Sequence, residues 1–303
     1  MVSFLARWRF LIRDTNLLTF IIFVDVRSLW KPLTFVLISM YAHASDTLAI
    51  RHIDLKVGSF QYPVTVIQGL HAKDSTNAPI LISDEKEISY VILNSTDRDQ
   101  VLFIEDWNWE REIKAGQYAT IHFPLSEKGT WVRMNSKDEG ESYAGLSTVV
   151  GCPLKSDGWF YWNLKSYERG TLERIRRQES FSIPKWPSAF TFNNRGFPQT
   201  RKDTLAVVKG HVGDTLHIVV LNSSSSHHSL HFHGYHVRIL KSTCRSMEGW
   251  LKDTFPLFPG EIKVLELVPH QPGMYPVHDH NLVSVTMDGN YPGGMITMLM
   301  IMP

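Results

Sequence analysis

Of the fourteen histidines in the 303-residue chain, four fall at spacings that would bring imidazoles together. They are His231 and His233, with Phe232 between them, and His278 and His280, with Asp279 between them. Side chains alternate faces along a β-strand, so the two histidines of each H-x-H element point one way and the middle residue the other. Two such pairs are a metal-ligand pattern, and an all-imidazole set suits copper first and zinc second. One pair alone is weak evidence. Two pairs in matching strand-and-turn settings are much stronger.

The settings are HHSLHFHGYHVRIL (227–240) and PGMYPVHDHNLV (272–283). Upstream, LAVVKGHVGDTLHIVVLN (205–222) reads as strand, turn and strand. Between the pairs, KDTFPLFPGE (252–261) opens on Asp-Thr and ends in a Pro-Gly turn before another apolar strand.

This order closely resembles the last domain of multicopper oxidases: a V-K…G-D turn, H-x-x-H-x-H-G, K-D-T…P-G-E, then P-G…H-C-H. The resemblance covers roughly residues 190–303, with a weaker version over about 50–150. It implies an all-β protein of two cupredoxin-like (plastocyanin-like) Greek-key β-sandwiches. The expected divisions are residues 1–44 as a signal peptide or N-terminal extension, 46–152 as a first domain, 153–188 as a linker and 189–303 as the metal-bearing domain.

In that family the first motif supplies a type 1 (blue) copper histidine and two histidines of the trinuclear cluster, which carry over to His228, His231 and His233. The H-C-H motif supplies two more cluster histidines, here His278 and His280. The type 1 cysteine between them is Asp279 in this chain, and Ser284 stands where the second type 1 histidine falls. A blue site needs a thiolate and two imidazoles, so none is expected. A His228–Asp279 hydrogen-bonded pair is expected in its place, with a second metal at His228 and Asp279 as the lesser alternative.

The first domain departs further. Met134 and Ser136 occupy the positions of its two family histidines, and Phe103, Glu105 and Asp106 stand where an H-W-H-G element belongs. Half of the eight cluster ligands are therefore missing. The expected centre is a type 2-like copper, or a copper pair, held by His231, His233, His278 and His280 at the end of the sandwich facing the first domain. Asp-His-Asn-Leu (279–282) also resembles two-domain copper nitrite reductases, whose three-histidine copper bridges the subunits of a trimer.

Two functions follow from the resemblance. One is a copper oxidoreductase acting on a small molecule, with an electron donor that binds directly, in a homo-oligomer conceivable as a trimer. The other is a non-catalytic protein that binds or stores copper, or an interaction module.

The rest of the sequence bounds these readings. A formal net charge of +1 with scattered Lys and Arg argues against a nucleic-acid partner. An apolar run at 33–41, after Arg27 and Lys31 and before Ala42-His43-Ala44, has the order of a secretory signal cleaved after Ala44. It implies export to a periplasm or the extracellular space. An earlier run, 17–24, reads as an over-extended translation start or a membrane anchor. In an exported protein the two cysteines, Cys152 and Cys244, are expected as one disulfide. A short helix is expected over 171–178, with Trp159 to Trp162 packing the linker onto the domains. His236 is expected beside the metal site, the remaining histidines at the surface or in packing, and the methionines of MITMLMIM (295–302) in the core.

Overall fold

The computed structural model describes residues 47–72 and 77–303. The expectations for 1–44 lie outside the described residues. Asp46–Pro303 forms one compact unit built from four sheets.

The first sandwich contains β1 (Thr47–Val57), β2 (Phe60–Gly69), β3 (Ile80–Leu81), β4 (Ile88–Asn94), β5 (Gln100–Ile104), β6 (Trp109–Ile113), β7 (Tyr118–Phe123), β8 (Trp131–Ser136) and β9 (Ser147–Gly151). One sheet runs β2-β1-β4-β7 and the other β3-β9-β8-β5-β6. Ile50, Ile67, Ile92, Leu102, Phe123 and Val150 meet between them.

The second sandwich contains β10 (Gly158–Tyr167), β11 (Ala189–Phe192), β12 (Val208–His211), β13 (Leu216–Asn222), β14 (His228–Phe232) and β15 (Val237–Ser242). It continues with β16 (Leu251–Lys252), β17 (Thr254–Leu257), β18 (Ile262–Leu267), β19 (Gly273–Asp279) and β20 (Ile296–Met302). A six-stranded sheet, β11-β10-β13-β18-β15-β16, faces a five-stranded sheet, β12-β20-β19-β14-β17. Trp162, Ile218, Val220, Leu230, Phe232, Val277 and Leu299 fill the space between. Each such side chain contributes about 1.5–3 kcal/mol by leaving water. The all-β architecture of two cupredoxin-like sandwiches is as the motifs implied.

The boundary between them differs from the expected linker. Residues 158–167 form β10, paired in parallel with β13 over seven residues, Gly158↔Leu216 to Leu164↔Asn222. The reason is a strand buried on both faces, the pattern of a doubly covered strand. Phe160, Trp162 and Leu164 enter the second core. Tyr161 joins Trp131, Val149, Val219, Leu221 and Ile262 in the apolar seam between the sandwiches. The four aromatics thus pack as expected, but as part of a sheet. Helix α1 (Arg169–Arg176) begins two residues before the expected 171, because the Glu168 carboxylate accepts from the Gly170 and Thr171 amides and caps it there.

Two further expectations are corrected. Cys152 and Cys244 are both free, the first buried and the second exposed. Cys152 belongs to the first sandwich's core, while Cys244 lies beyond β15 on a turn of the second, so no disulfide joins them. The terminal methionines also divide. Met295 is fully buried, but Met298 and Met300 are only partly covered and Met302 is 45% exposed. On β20 the core-facing positions are Thr297, Leu299 and Ile301, which leaves the alternate positions 298, 300 and 302 on the outer face.

Candidate metal centre

Strands β14 and β19 lie side by side and antiparallel, with Leu230↔Asp279, His231↔His278 and Phe232↔Val277 in register. This one register assembles the site. Leu230, Phe232 and Val277 point into the core, so His231 and His278 point outward from the five-stranded sheet. His233 and His280, one step beyond the strand ends, join them. The ring centroids of His231 lie 4.7 Å from His233, 5.6 Å from His278 and 5.6 Å from His280, and His233 and His278 are 5.1 Å apart.

The turn after His233 needs its glycine. Gly234 has φ +73°, and a Cβ there would stand 2.5 Å from the Tyr275 ring. The chain can therefore leave β14 tightly over Tyr275 only without a side chain.

Each strand-borne histidine has one ring nitrogen engaged. His231 Nδ1 is 2.7 Å from the Thr254 hydroxyl, which the β14–β17 register places opposite it. His278 Nδ1 is 2.8 Å from the Asp279 carbonyl oxygen. A carbonyl only accepts, so His278 Nδ1 carries a proton, and its Nε2 accepts from the His233 Nε2–H and is the nitrogen a metal would take. That Nε2 stands 3.0 Å from His233 Nε2. Two nitrogens, each about 2.0–2.1 Å from one ion, would subtend an angle near 95° at this spacing.

The donor set therefore fits copper or zinc in type, and one pair fits in spacing. Among the described residues no three His, Cys, Asp or Glu side chains form a ready-made metal group. Gathering all four around one ion requires the side chains to move closer than they stand here. Burial, and then the charges of their histidine neighbours, hold His231 and His233 below the ordinary imidazole pKa. Both effects keep them neutral, the form that binds metal.

The site's outlook differs from the expected one. The first sandwich packs on the six-stranded sheet through the Trp131–Tyr161–Ile262 seam, while the histidines lie on the outer face of the other sheet. His233 and His280 are exposed. Beyond them Leu282 (76% exposed) and Val283 (61%) continue the open surface.

Behind the same strands, facing inward, is the expected His228–Asp279 pair. His228 Nδ1 is 2.6 Å from Asp279 Oδ2, and both side chains are nearly sealed from solvent. The Ser284 hydroxyl donates to the same oxygen at 2.6 Å, and the Ser229 amide donates to Oδ1 at 2.9 Å. Ser224 Oγ lies 2.9 Å from His228 Nε2. Burial alone would raise the Asp279 carboxyl, but the His228 hydrogen bond and charge, with Ser284 and the Ser229 amide, hold it below the usual range. Every polar atom of this pocket is used, and it has no open position.

In the first sandwich Met134 is core and Ser136 is buried; Ser136 Oγ accepts from the Asp138 amide at 3.2 Å. Sequence reasoning missed Thr254 and Ser224. Thr254 had a signal in the Asp-Thr opening of its strand. Ser224 had none.

Comparison with known proteins agrees with the motifs. Residues 172–290 match the multicopper oxidase family, beginning earlier and ending sooner than the span read from the sequence. No curated protein matches the chain. Among solved structures, the fold is similar to a blue copper oxidase from Nitrosomonas europaea, with TM-score 0.68 and 16% identity over 84% of this chain and 85% of that one. It is also similar to the multicopper oxidase mgLAC, with TM-score 0.69 and 18% identity over 85% and 86%. A copper nitrite reductase from Nitrosomonas europaea aligns with TM-score 0.60 and 14% identity over 84% and 93%. At these identities the structural likeness establishes the fold, and the family match lies over most of the second sandwich.

Proposed function

We propose that this is an exported, copper-binding, multicopper-oxidase-like protein, an oxidoreductase with one type 2-like histidine centre and no type 1 copper. The observation that carries the reading is the outward cluster His231, His233, His278 and His280, with its 3.0 Å Nε2–Nε2 pair and its orienting bonds from Thr254 and the Asp279 carbonyl.

The chain's own residues have three tasks in this centre. Thr254 and the Asp279 backbone fix the His231 and His278 rings so that each offers one nitrogen outward. His233 and His280, at the strand ends, close the ligand set. Asp279 itself points inward, where His228 and the two serines occupy its oxygens, so it does not compete as a ligand. When bound, copper would supply one-electron chemistry to a small molecule at a position the imidazoles leave open. With no blue centre behind it, the electron donor must bind at the exposed histidine face. Zinc fits the same imidazoles less well as a reading, because it brings no redox chemistry. Export after cleavage behind Ala44, and assembly as a homo-oligomer, belong to the same proposal. The exposed rim of Leu282, Val283 and Tyr291 supports the assembly.

The test is metal content and EPR on the mature chain beside the His231→Ala/His278→Ala variant. About one copper per chain, with a type 2 spectrum, no intense blue band and loss in the variant, supports the centre. A folded protein that refuses added copper sinks it. Binding of azide or nitrite to the metal separates the oxidoreductase from the storage alternative, which predicts a closed site.

A further inference from the structure

The outer face of the five-stranded sheet carries a second set of soft donors, independent of the histidine centre. On β20, Met298, Met300 and Met302 occupy successive outward positions. In the neighbouring strand Met274, 54% exposed, is paired directly with Met300. On the other flank β12 runs parallel to β20, with Lys209↔Met300 and His211↔Met302 in register, and both flank residues are exposed.

Residues directly opposite in a sheet place their Cβ atoms about 4.5–5.5 Å apart. Successive outward positions on one strand are about 6.7 Å apart. A methionine sulfur rides on an unbranched, freely rotating chain, so the Met274, Met300 and Met302 thioethers can converge over the sheet. The His211 ring stands at the edge of the group. Its Nδ1 is 3.6 Å from Asp214 Oδ2, and its side chain is 57% exposed.

An apolar surface needs no sulfur. The core-facing partners on the same strand are Thr297, Leu299 and Ile301, while all three of the outward positions from 298 onward are methionine. Thioethers are neutral, soft ligands that select Cu(I). The Lys209 ammonium beside Met300 further disfavours a divalent ion. We propose that Met274, Met300 and Met302, with His211 at the rim, form a surface site for Cu(I). The site lies on the same outward face as His278, four residues along β19 from Met274, a distance of about 13 Å. Copper held there is kept reduced and close to the histidines.

The experiment titrates the full mature chain with Ag(I), a redox-inert stand-in for Cu(I), and follows the ¹³C-methyl signals of methionine by NMR. A Cys244→Ser background removes the exposed thiol, which would itself take a soft cation. The expected result is one Ag(I) per chain with shifts at Met274, Met300 and Met302 and none at buried Met134 or Met295. Met274→Leu/Met300→Leu keeps the apolar volume and should weaken binding at least tenfold at an unchanged Tm. His231→Ala/His278→Ala should retain Ag(I) binding, which separates this site from the copper centre proposed above. Unchanged Ag(I) affinity in the double Met variant, or methyl shifts confined to other methionines, overturns the proposal and leaves a plain apolar face.

Discussion

Strands β14 and β19 present histidines on both sides, and the two sides have opposite characters. Inward, His228 meets Asp279 and Ser224, Ser284 meets Asp279, and every nitrogen and oxygen has a partner. Outward, His231, His233, His278 and His280 meet one another at ring-centroid distances of 4.7–5.6 Å, with one orienting bond on each strand-borne ring. The difference follows from burial. A sealed polar group must be satisfied within the protein, so the inward pocket is closed to ligands. Exposed imidazoles can leave nitrogens to water, and so can keep them for a metal. One ladder thus holds a structural hydrogen-bonded pair and a candidate ligand set, separated by the parity of a single strand.

The sharpest way to break this contrast is Asp279→Leu. It strips the buried His228 ring, the Ser229 amide and the Ser284 hydroxyl of their acceptor. Loss of one partner of a buried pair costs about 3–5 kcal/mol, so the urea midpoint should fall sharply with or without copper. If it does not, the inward pocket is not structural.

Thr254→Val tests the outward side. It removes the orienting bond on His231 Nδ1 while keeping the side chain's shape. Loss of such a partner typically weakens metal binding about 10–100-fold, here measured by chelator competition, while the apo protein's stability changes little. Equal copper affinity in both proteins would show that His231 is not held for a metal.

A third region shows a buried charge without such a partner. Lys165, between the sandwiches, donates to the Gly145 carbonyl and has the Arg133 guanidinium as its charged neighbour. Burial, then Arg133, holds its pKa well below the ordinary lysine value. Between that depressed pKa and the unfolded value of about 10.4, the unfolded chain binds a proton that the folded chain does not. Stability therefore rises with pH across this window. Lys165→Met should raise stability near pH 7 by roughly 1–3 kcal/mol, and the gain should shrink toward pH 10. Gly145 keeps the Asn77 amide as a donor at 2.8 Å. Melting curves at several pH values check this, and a gain that does not vary with pH would contradict it.

The smallest expected effect is His233→Ala in the metal-free protein. An exposed ring at a strand end should change folding stability by no more than about 0.5 kcal/mol, in contrast with Asp279→Leu. A loss of several kcal/mol in the same denaturation assay would make the outward histidines structural too.

Much of this was legible in the residues. The H-x-H spacing put each histidine pair on one face and Asp279 on the other, and the missing thiolate at Asp279 together with Ser284 indicated the pair with His228. The expected linker at 153–188 failed because β10, aromatic-rich and carrying Asn163 and Lys165, cannot be told from a connector as a single strand, although both its faces are buried. The terminal methionines were expected in the core because alternation shows that residues share a face without showing which face is covered.

What the sequence determined by itself is local and periodic: strand character, the parity of each histidine and the Asp279 and Ser284 that stand where the resembling family has a cysteine and a histidine. These depend only on neighbours along the chain. The tertiary structure decided which side of each strand meets a second sheet. That choice buried His228 with Asp279, turned the four outward histidines away from the first sandwich, and brought Thr254 to His231 and Met274 to Met300. Each of these contacts joins strands far apart in sequence, and only the sheet register, fixed by packing the whole core, brings them together.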